Sequence, residues 1–319
     1  MITVGELGEF GAISRISRRL FQKPDVLVGP GDDAAVLRAP DGRVVVTTDL
    51  LIEGRHFRRD WSSGYDIGRK AAAQNLADVA AMGAVPTGIV VGLGAPADTG
   101  LDWLDALTDG FRDECAEAGA SVVGGDMSRS DIVVLGVTAF GDLGGRAPVT
   151  RSGARPGDVV AVTGRLGHAA AGLALLEAGR ADDPGGPWRP ALVDAHRRPR
   201  PPYRRGPEAA GLGATAMIDV SDGLVQDLGH IAEASRVAIA IDPAALPVPG
   251  SLAEAAAELG ADPLEWVLTG GDDHALAATF PREVRLPSGW TIIGEVAEGE
   301  GVQVAGRRVS QGGWDHFRL

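Results

Sequence analysis

Residues 44–49 read Val-Val-Val-Thr-Thr-Asp, an apolar and β-branched run that closes on a carboxylate. Such side chains fit a pleated surface, so Val44 to Thr48 is predicted as the first clear strand, after a shorter one at Val26 to Val28. Reading outward, the periodicity predicts a helix from about Asp66 to Met82, a strand near Ile89 to Leu93 and a helix from Leu101 to Gly119. Strands follow at Ser121 to Val123 and Ile132 to Ala139. This alternation of strands and alanine-rich helices predicts an α/β (α+β) domain over residues 1–150. The turn-rich stretch Arg151-Ser-Gly-Ala-Arg-Pro-Gly-Asp158 opens a second α/β unit, residues 151–319. Its expected elements are a strand at Val159 to Thr163, a helix from the Gly164-Arg-Leu-Gly167 turn to about Ala178, a strand ending at Asp219 and a helix from Ser221. A loop is expected over Asp182 to Pro190. The segment His196 to Arg205, with five arginines and three prolines, is either a solvated extended stretch or an arginine rim near phosphates.

Composition narrows the function classes. Glycine numbers 46 of 319 residues, roughly twice the usual share, which marks many tight turns and close backbone approaches. Thirty Lys plus Arg against 43 Asp plus Glu give a formal charge of −13, which argues against a general nucleic-acid binder. A single cysteine, Cys115, precludes an internal disulfide, fits a reducing compartment and falls inside an expected helix, where a packed thiol is the simpler reading than a nucleophile. Glu6 and Glu9 do not suit a secretory signal. The uncharged stretch Val79 to Ala97 is broken by four glycines and two prolines, so no membrane span is expected and the cytoplasm is the expected location.

The chemistry sits on aspartates beside glycines and at the ends of expected elements. Only two lysines exist, Lys23 and Lys70, followed by Pro24 and Ala71, so no Walker A loop can be completed. Gly29-Pro-Gly31-Asp-Asp-Ala34 matches a loose dinucleotide pattern, but Asp32 and Asp33 would stand where pyrophosphate approaches bare amides. A cation resolves that repulsion. The device recurs at Thr47-Thr48-Asp49, at Asp78 one turn after Asn75, at Gly124-Gly125-Asp126, at Asp219-Val-Ser221-Asp222-Gly223 and at Gly270-Gly271-Asp272-Asp273. Mg²⁺ takes hard oxygen ligands, usually one or two carboxylates together with waters and substrate phosphates. Any one such Asp suits a turn or cap equally well; the repetition favours a metal-assisted phosphate site.

In order along the chain, Gly31-Asp-Asp-Ala34, Thr48-Asp49 with Gly54-Arg-His56-Phe57, Asn75-Leu-Ala-Asp78-Val-Ala-Ala-Met-Gly83-Ala84, Gly124-Gly-Asp126, Thr150-Arg-Ser-Gly-Ala-Arg-Pro-Gly-Asp158, Asp219-Val-Ser-Asp-Gly223-Leu and Trp314-Asp-His-Phe317 resemble the thiamine-monophosphate kinases. That family belongs to the superfamily of aminoimidazole ribonucleotide synthetase, and the likeness runs from about Gly8 to Phe317. The resemblance implies a two-domain fold whose N-terminal sheets pair into a barrel across a homodimer, with a C-terminal α/β domain that completes the active site. It implies direct in-line transfer of the ATP γ-phosphoryl group onto thiamine monophosphate, with several Mg²⁺ ions and a monovalent cation such as K⁺. By position, Asp33, Thr47, Thr48, Asp49, Asp78, Asp126, Asp219 and Asp222 would hold metal. Gly125, Asp126, Arg151 and Ser221 would contact ATP, and His56, Asp272 and Trp314 the thiamine substrate. No residue is assigned as a catalytic acid or base, because the attacking phosphate oxygen is already ionised near neutral pH.

One stretch departs from the family pattern: Gly270-Gly-Asp272-Asp273-His274 stands where the family commonly has Gly-Gly-Glu-Asp followed by an aromatic residue, so Asp272 is one methylene shorter than the usual Glu. Rival readings are a related synthetase with another acceptor and a nucleotide-sensing module without turnover. The chain has no cysteine near its N-terminal glycine-rich loop, as a selenophosphate synthetase would need, and ends Phe317-Arg-Leu319 where a hydrogenase-maturation relative would carry a reactive cysteine.

Overall fold

The computed structural model describes residues 3–7, 9–30, 35–184 and 186–309. The chain divides into two compact units, residues 1–79 with 84–145, and residues 80–83 with 146–319.

The first unit runs α1 (Val4–Leu7), α2 (Glu9–Ser17), β1 (Val26–Val28), β2 (Val36–Leu37), β3 (Val45–Ile52), α3 (Gly64–Ala81), β4 (Val85–Ala95), α4 (Leu101–Ala118), β5 (Ser121–Arg129) and β6 (Val134–Asp142). Four strands form one sheet in the order β3-β6-β4-β5. β4 and β5 are parallel and joined through α4, while β3 and β4 pair antiparallel with β6. Helices α3 and α4 approach closely because glycines leave room. A Cβ on Gly68 would stand 2.2 Å from the Leu107 carbonyl oxygen, and one on Gly110 2.2 Å from that of Tyr65. Ala71, Ala72, Ala73, Leu76 and Ala77 of α3 are buried together with Leu51, Leu135, Val137 and Ala139 of the sheet. Alternation along β3 leaves its other face open, with Val46 and Leu50 each 58% exposed. Beside that face a cavity of about 300 Å³ is lined by Leu37, Arg43, Val44, Val90, Val123 and Phe140.

The second unit runs β7 (Val159–Thr163), α5 (His168–Glu177), α6 (Trp188–Arg197), α7 (Arg205–Leu212), β8 (Ala216–Val220), α8 (Leu224–Ser235), β9 (Ala238–Ile241), α9 (Gly250–Leu259), α10 (Pro263–Thr269), β10 (Ala275–Phe280), β11 (Thr291–Ala297), β12 (Gly301–Val304) and β13 (Arg307–Arg308). Its sheet has the order β13-β12-β9-β11-β7-β10-β8, antiparallel except between β9 and β12. β7, β8 and β10 are buried along their whole length, and all their residues except Thr163, Asp219 and Thr279 are apolar. Phe280 and Trp290 meet edge to face at 5.2 Å beneath Met217, Val159 and Ala161.

The structure corrects three sequence expectations. β3 continues through Asp49 to Ile52, and β5 through Asp126 to Arg129, so these carboxylates lie inside strands and not at their ends. Asp49 stays in an edge strand because the Asn75 Oδ1 accepts its backbone N–H at 3.0 Å. Gly125 stays in β5 because only a glycine fits there: a Cβ would stand 2.2 Å from the Val91 carbonyl oxygen. The third correction is α6, which begins at Trp188 inside the expected loop. Pro190 lies in its first turn, where no backbone N–H is required of it, so the proline does not break the helix. Cys115 is buried, and burial pushes its thiol well above the ordinary range, which makes it an inert core residue. Among the described residues no helix is long and apolar enough to cross a membrane.

Candidate active site

In the first unit the polar residues gather where β3 meets α3. Successive strand residues face opposite ways, so Thr47 and Asp49 turn toward α3 and Thr48 turns to the open face. The Thr47 hydroxyl donates to Asp78 Oδ2 at 2.8 Å. Asn75, fully buried one turn before Asp78, is fixed at both ends of its amide. Its Nδ2 donates to the Ala71 carbonyl at 2.9 Å while its Oδ1 holds the Asp49 backbone. The half-buried Asp49 carboxylate has no hydrogen-bond or ion-pair partner among the described residues, an arrangement that suits a cation ligand. On the open face, Thr48 donates to the Val137 carbonyl at 3.0 Å and accepts from Thr138 at 3.1 Å.

Asp126 stands apart from this group. The rows Leu50–Gly136–Gly92–Asp126 and Asp49–Val137–Val91–Gly125 each cross the whole sheet. Asp49 and Asp126 therefore lie on opposite edge strands and opposite faces, three strand spacings or about 14 Å apart. Asp126 and Gly125 are exposed. His56 sits in the turn after β3, where its Nδ1 accepts the Ile52 N–H at 2.9 Å. That bond leaves Nε2 as the protonated nitrogen of the neutral ring.

In the second unit two acidic turns are zipped together. The Asp272 N–H donates to the Ser221 carbonyl at 2.8 Å, and the His274 N–H to the Val220 carbonyl at 3.0 Å. The approach is close enough that a Cβ on Gly271 would stand 2.3 Å from the Ser221 carbonyl oxygen. Asp272 and His274 adopt left-handed backbone, with φ of 66° and 51°. Asp tolerates that region better than longer side chains do, a conformational reason for the shorter acid at position 272. Asp219, Ser221, Asp222 and Asp272 thus form one group at the end of β8.

The sequence gives no separate role to the residues that fix this group, although Asp273 stands in the Gly270-Gly271-Asp272-Asp273 run. The His274 ring lies 3.0 Å from Asp219 Oδ2 through Nδ1, and both side chains are buried. Asp227 accepts the backbone N–H groups of Asp222 (3.1 Å) and Gly223 (3.0 Å), pinning the turn. Burial, reinforced by the charges of Asp219 and Asp222, pushes its carboxyl up to about 7. Asp273 accepts the Ala169 N–H at 2.9 Å and so caps α5; burial pushes it up to about 7, and its Oδ2 has no partner. The signals were present, since Asp227 falls one turn after the Asp-Gly pair and Asp273-His274 follows Asp272, but nothing in the sequence separates them from ordinary helix and turn polar residues.

The Thr150 carbonyl accepts the Met217 N–H at 3.2 Å, so the backbone at Arg151 runs beside the beginning of β8, the end opposite Asp219. Asp33 and Trp314 lie outside the described residues. Among the described residues no three His, Cys, Asp or Glu side chains converge to form a metal site unaided. The donors that are present, one or two carboxylates at a time, fit Mg²⁺ that shares its shell with phosphates and water.

Two acidic clusters on a mixed α+β framework without a Walker loop define a class, and comparison identifies it. Residues 31–143 match the model for the AIR synthase related protein N-terminal domain, and residues 155–306 the model for the AIR synthase related protein C-terminal domain. Within that class, the chain is 51% identical over 318 residues to the thiamine-monophosphate kinase of Mycobacterium tuberculosis, covering 99% of this chain and 93% of the relative. The crystal structure of thiamine-monophosphate kinase from Stenotrophomonas maltophilia K279a superposes with a TM-score of 0.83 at 37% identity, over 93% of this chain and 97% of that one. AaThiL complexed with AMPPCP and TMP superposes at 0.82 and 35% identity, over 99% of both chains. The chain belongs to the thiamine-monophosphate kinase family.

Proposed function

We propose that this chain catalyses ATP-dependent phosphorylation of thiamine monophosphate to thiamine diphosphate by direct in-line transfer of the γ-phosphoryl group. The observation that carries the reading is the full-length likeness to AaThiL complexed with AMPPCP and TMP. Two phosphate-bearing anions must meet, and their repulsion in a poorly solvated site is the main barrier to positioning. Mg²⁺ bound by Asp33, Thr47, Thr48, Asp49, Asp78, Asp126, Asp219 and Asp222 would neutralise that charge, with K⁺ as a further cation. On the protein side, the Thr47–Asp78 bond and the Asn75 clamp orient the carboxylates of the first unit, while His274 and Asp227 orient Asp219 and Asp222. Gly125, Asp126, Arg151 and Ser221 are assigned to ATP, and His56, Asp272 and Trp314 to thiamine monophosphate. No general base is needed, since the acceptor phosphate is ionised at neutral pH. We further propose a homodimer through the open face of the first sheet, supported by exposed Val46 and Leu50 on edge strand β3 and exposed Val44 just before it, a surface that a lone sheet would leave in water.

The test is incubation with ATP, Mg²⁺ and thiamine monophosphate, with chromatographic detection of thiamine diphosphate. The expected result is product formation that requires Mg²⁺ and falls ~10²–10³-fold in Asp49→Asn with the fold retained. ATP binding without thiamine diphosphate formation would refute the assignment.

A further inference from the structure

The arginine-rich segment between α6 and α7 is ordered by its apolar residues. Pro199, Pro201 and Tyr203 are buried, whereas Arg200 and Arg204, interleaved with them, are exposed. The proline-fixed backbone therefore presents both arginines outward from a tethered strap. Arg198 is paired with Asp194 at 2.7 Å and Arg205 with Glu208 at 2.6 Å. Arg200 and Arg204 have no acidic partner among the described residues, and neither has the exposed Arg165. Arg197, the last residue of α6, buries its Nε without a hydrogen-bond partner. In a chain of formal charge −13, acidic partners are plentiful, so the absence of one at Arg165, Arg200 and Arg204 among the described residues needs a reason.

Their place in the fold supplies one. A Cβ on Gly164 would stand 3.3 Å from Pro202 Cγ and 3.1 Å from Ala275 Cα, so the strap runs against the Gly164–Gly167 turn and the start of β10. Ala275 directly follows His274, and Thr163, Leu276 and Asp219 lie in one row across β7, β10 and β8. The exposed arginines and the acidic turns therefore belong to the same end of one sheet. We propose that Arg165, Arg200 and Arg204 form an anion-binding rim that takes a phosphate group of a substrate of the transfer. This rests on the kinase reading for the identity of the ligand, and the guanidinium fork is suited to a phosphate group in two-point contact. A solvated strap with no ligand is the competing reading.

The experiment compares wild type, Arg200→Ala/Arg204→Ala and Arg200→Lys/Arg204→Lys. Binding of inorganic pyrophosphate is measured by calorimetry in Mg²⁺, and KM for ATP and for thiamine monophosphate in steady state. Both side chains are exposed, so unfolding is not expected; thermal melts check this. The rim requires pyrophosphate affinity to fall about tenfold in the double alanine variant, with one substrate's KM rising by a similar factor and kcat changing less than about twofold. The lysine pair should recover part of the loss, since it keeps charge but not the fork. The KM that moves tells whether the phosphate belongs to ATP or to the acceptor. Unchanged pyrophosphate affinity overturns the rim, and so does weaker pyrophosphate binding with both KM values unmoved. If the wild type makes no thiamine diphosphate, the kinase reading fails separately, and the pyrophosphate comparison still decides whether the arginines bind phosphate.

Discussion

Gly-Gly-Asp occurs twice, at 124–126 and at 270–272, and the two copies are built differently. In the first unit it is a stretch of β5. Gly124 has its nearest neighbour 3.6 Å from a would-be Cβ, only Gly125 is crowded, and Asp126 is extended and exposed. In the second unit it is a turn. Both glycines are crowded, by the Trp266 carbonyl at 2.4 Å and the Ser221 carbonyl at 2.3 Å, and the aspartate that follows is left-handed. The same three residues thus carry a carboxylate on a regular sheet in one place and on strained, mutually bonded turns in the other. Regular structure positions Asp49, Asp78 and Asp126 through ladder and helix bonds shared with many neighbours. The turns hold Asp219, Ser221, Asp222 and Asp272 through a few specific contacts, so single changes there should propagate further.

The largest expected effect sharpens this contrast. Gly271→Ala drives a Cβ into backbone and should cost about 3 kcal/mol or more, whereas Gly124→Ala should stay within about 1 kcal/mol, both read by denaturant unfolding. Equal losses would remove the distinction between the two motifs.

The next effect depends on pH. The Asp273 carboxyl is pushed up to about 7 by burial, so the folded state prefers its protonated form. Its contribution to stability is full below the unfolded value near 4 and is lost as pH rises through 7. Asp273→Asn cannot ionise and should therefore gain on wild type over that window, by on the order of 2–4 kcal/mol, seen as converging melting curves at low pH and diverging ones at pH 8. Parallel curves would mean that the buried cap of α5 is not ionised on this scale.

Asn75→Ala is the smallest and tests the first unit. It leaves the Asp49 N–H without its acceptor, and a loss of ~1–3 kcal/mol is expected, together with reduced activity if that clamp orients Asp49. Full activity with the stability loss would show that β3 alone positions the carboxylate.

The strands and helices around the acidic motifs were legible because their side-chain periods are local properties. β7 and α4 fall where the apolar patterns place them, to within a residue or two at each end. α6 was hidden by Pro190, which tolerates a first helical turn as readily as a loop. The extension of β3 and β5 through Asp49 and Asp126 was also hidden, since both carboxylates resemble strand ends until Asn75 and Val91 are in place.

By itself the sequence determined the residue types of the site: oxygen donors beside glycines, no Walker lysine, and a motif order that marks the family. Those are matters of composition and spacing. Only the tertiary structure decided that Thr47 and Asp49 face α3 while Thr48 does not, because alternation in a strand is a direction and not a spacing. It also decided that Asp126 lies across the sheet from Asp49, and that His274, Asp227 and Asp273 brace the acidic turns. Those partners are tens of residues apart or share a turn, and a hydrogen bond that depends on a distance below about 3.2 Å is set by packing, which no local pattern encodes.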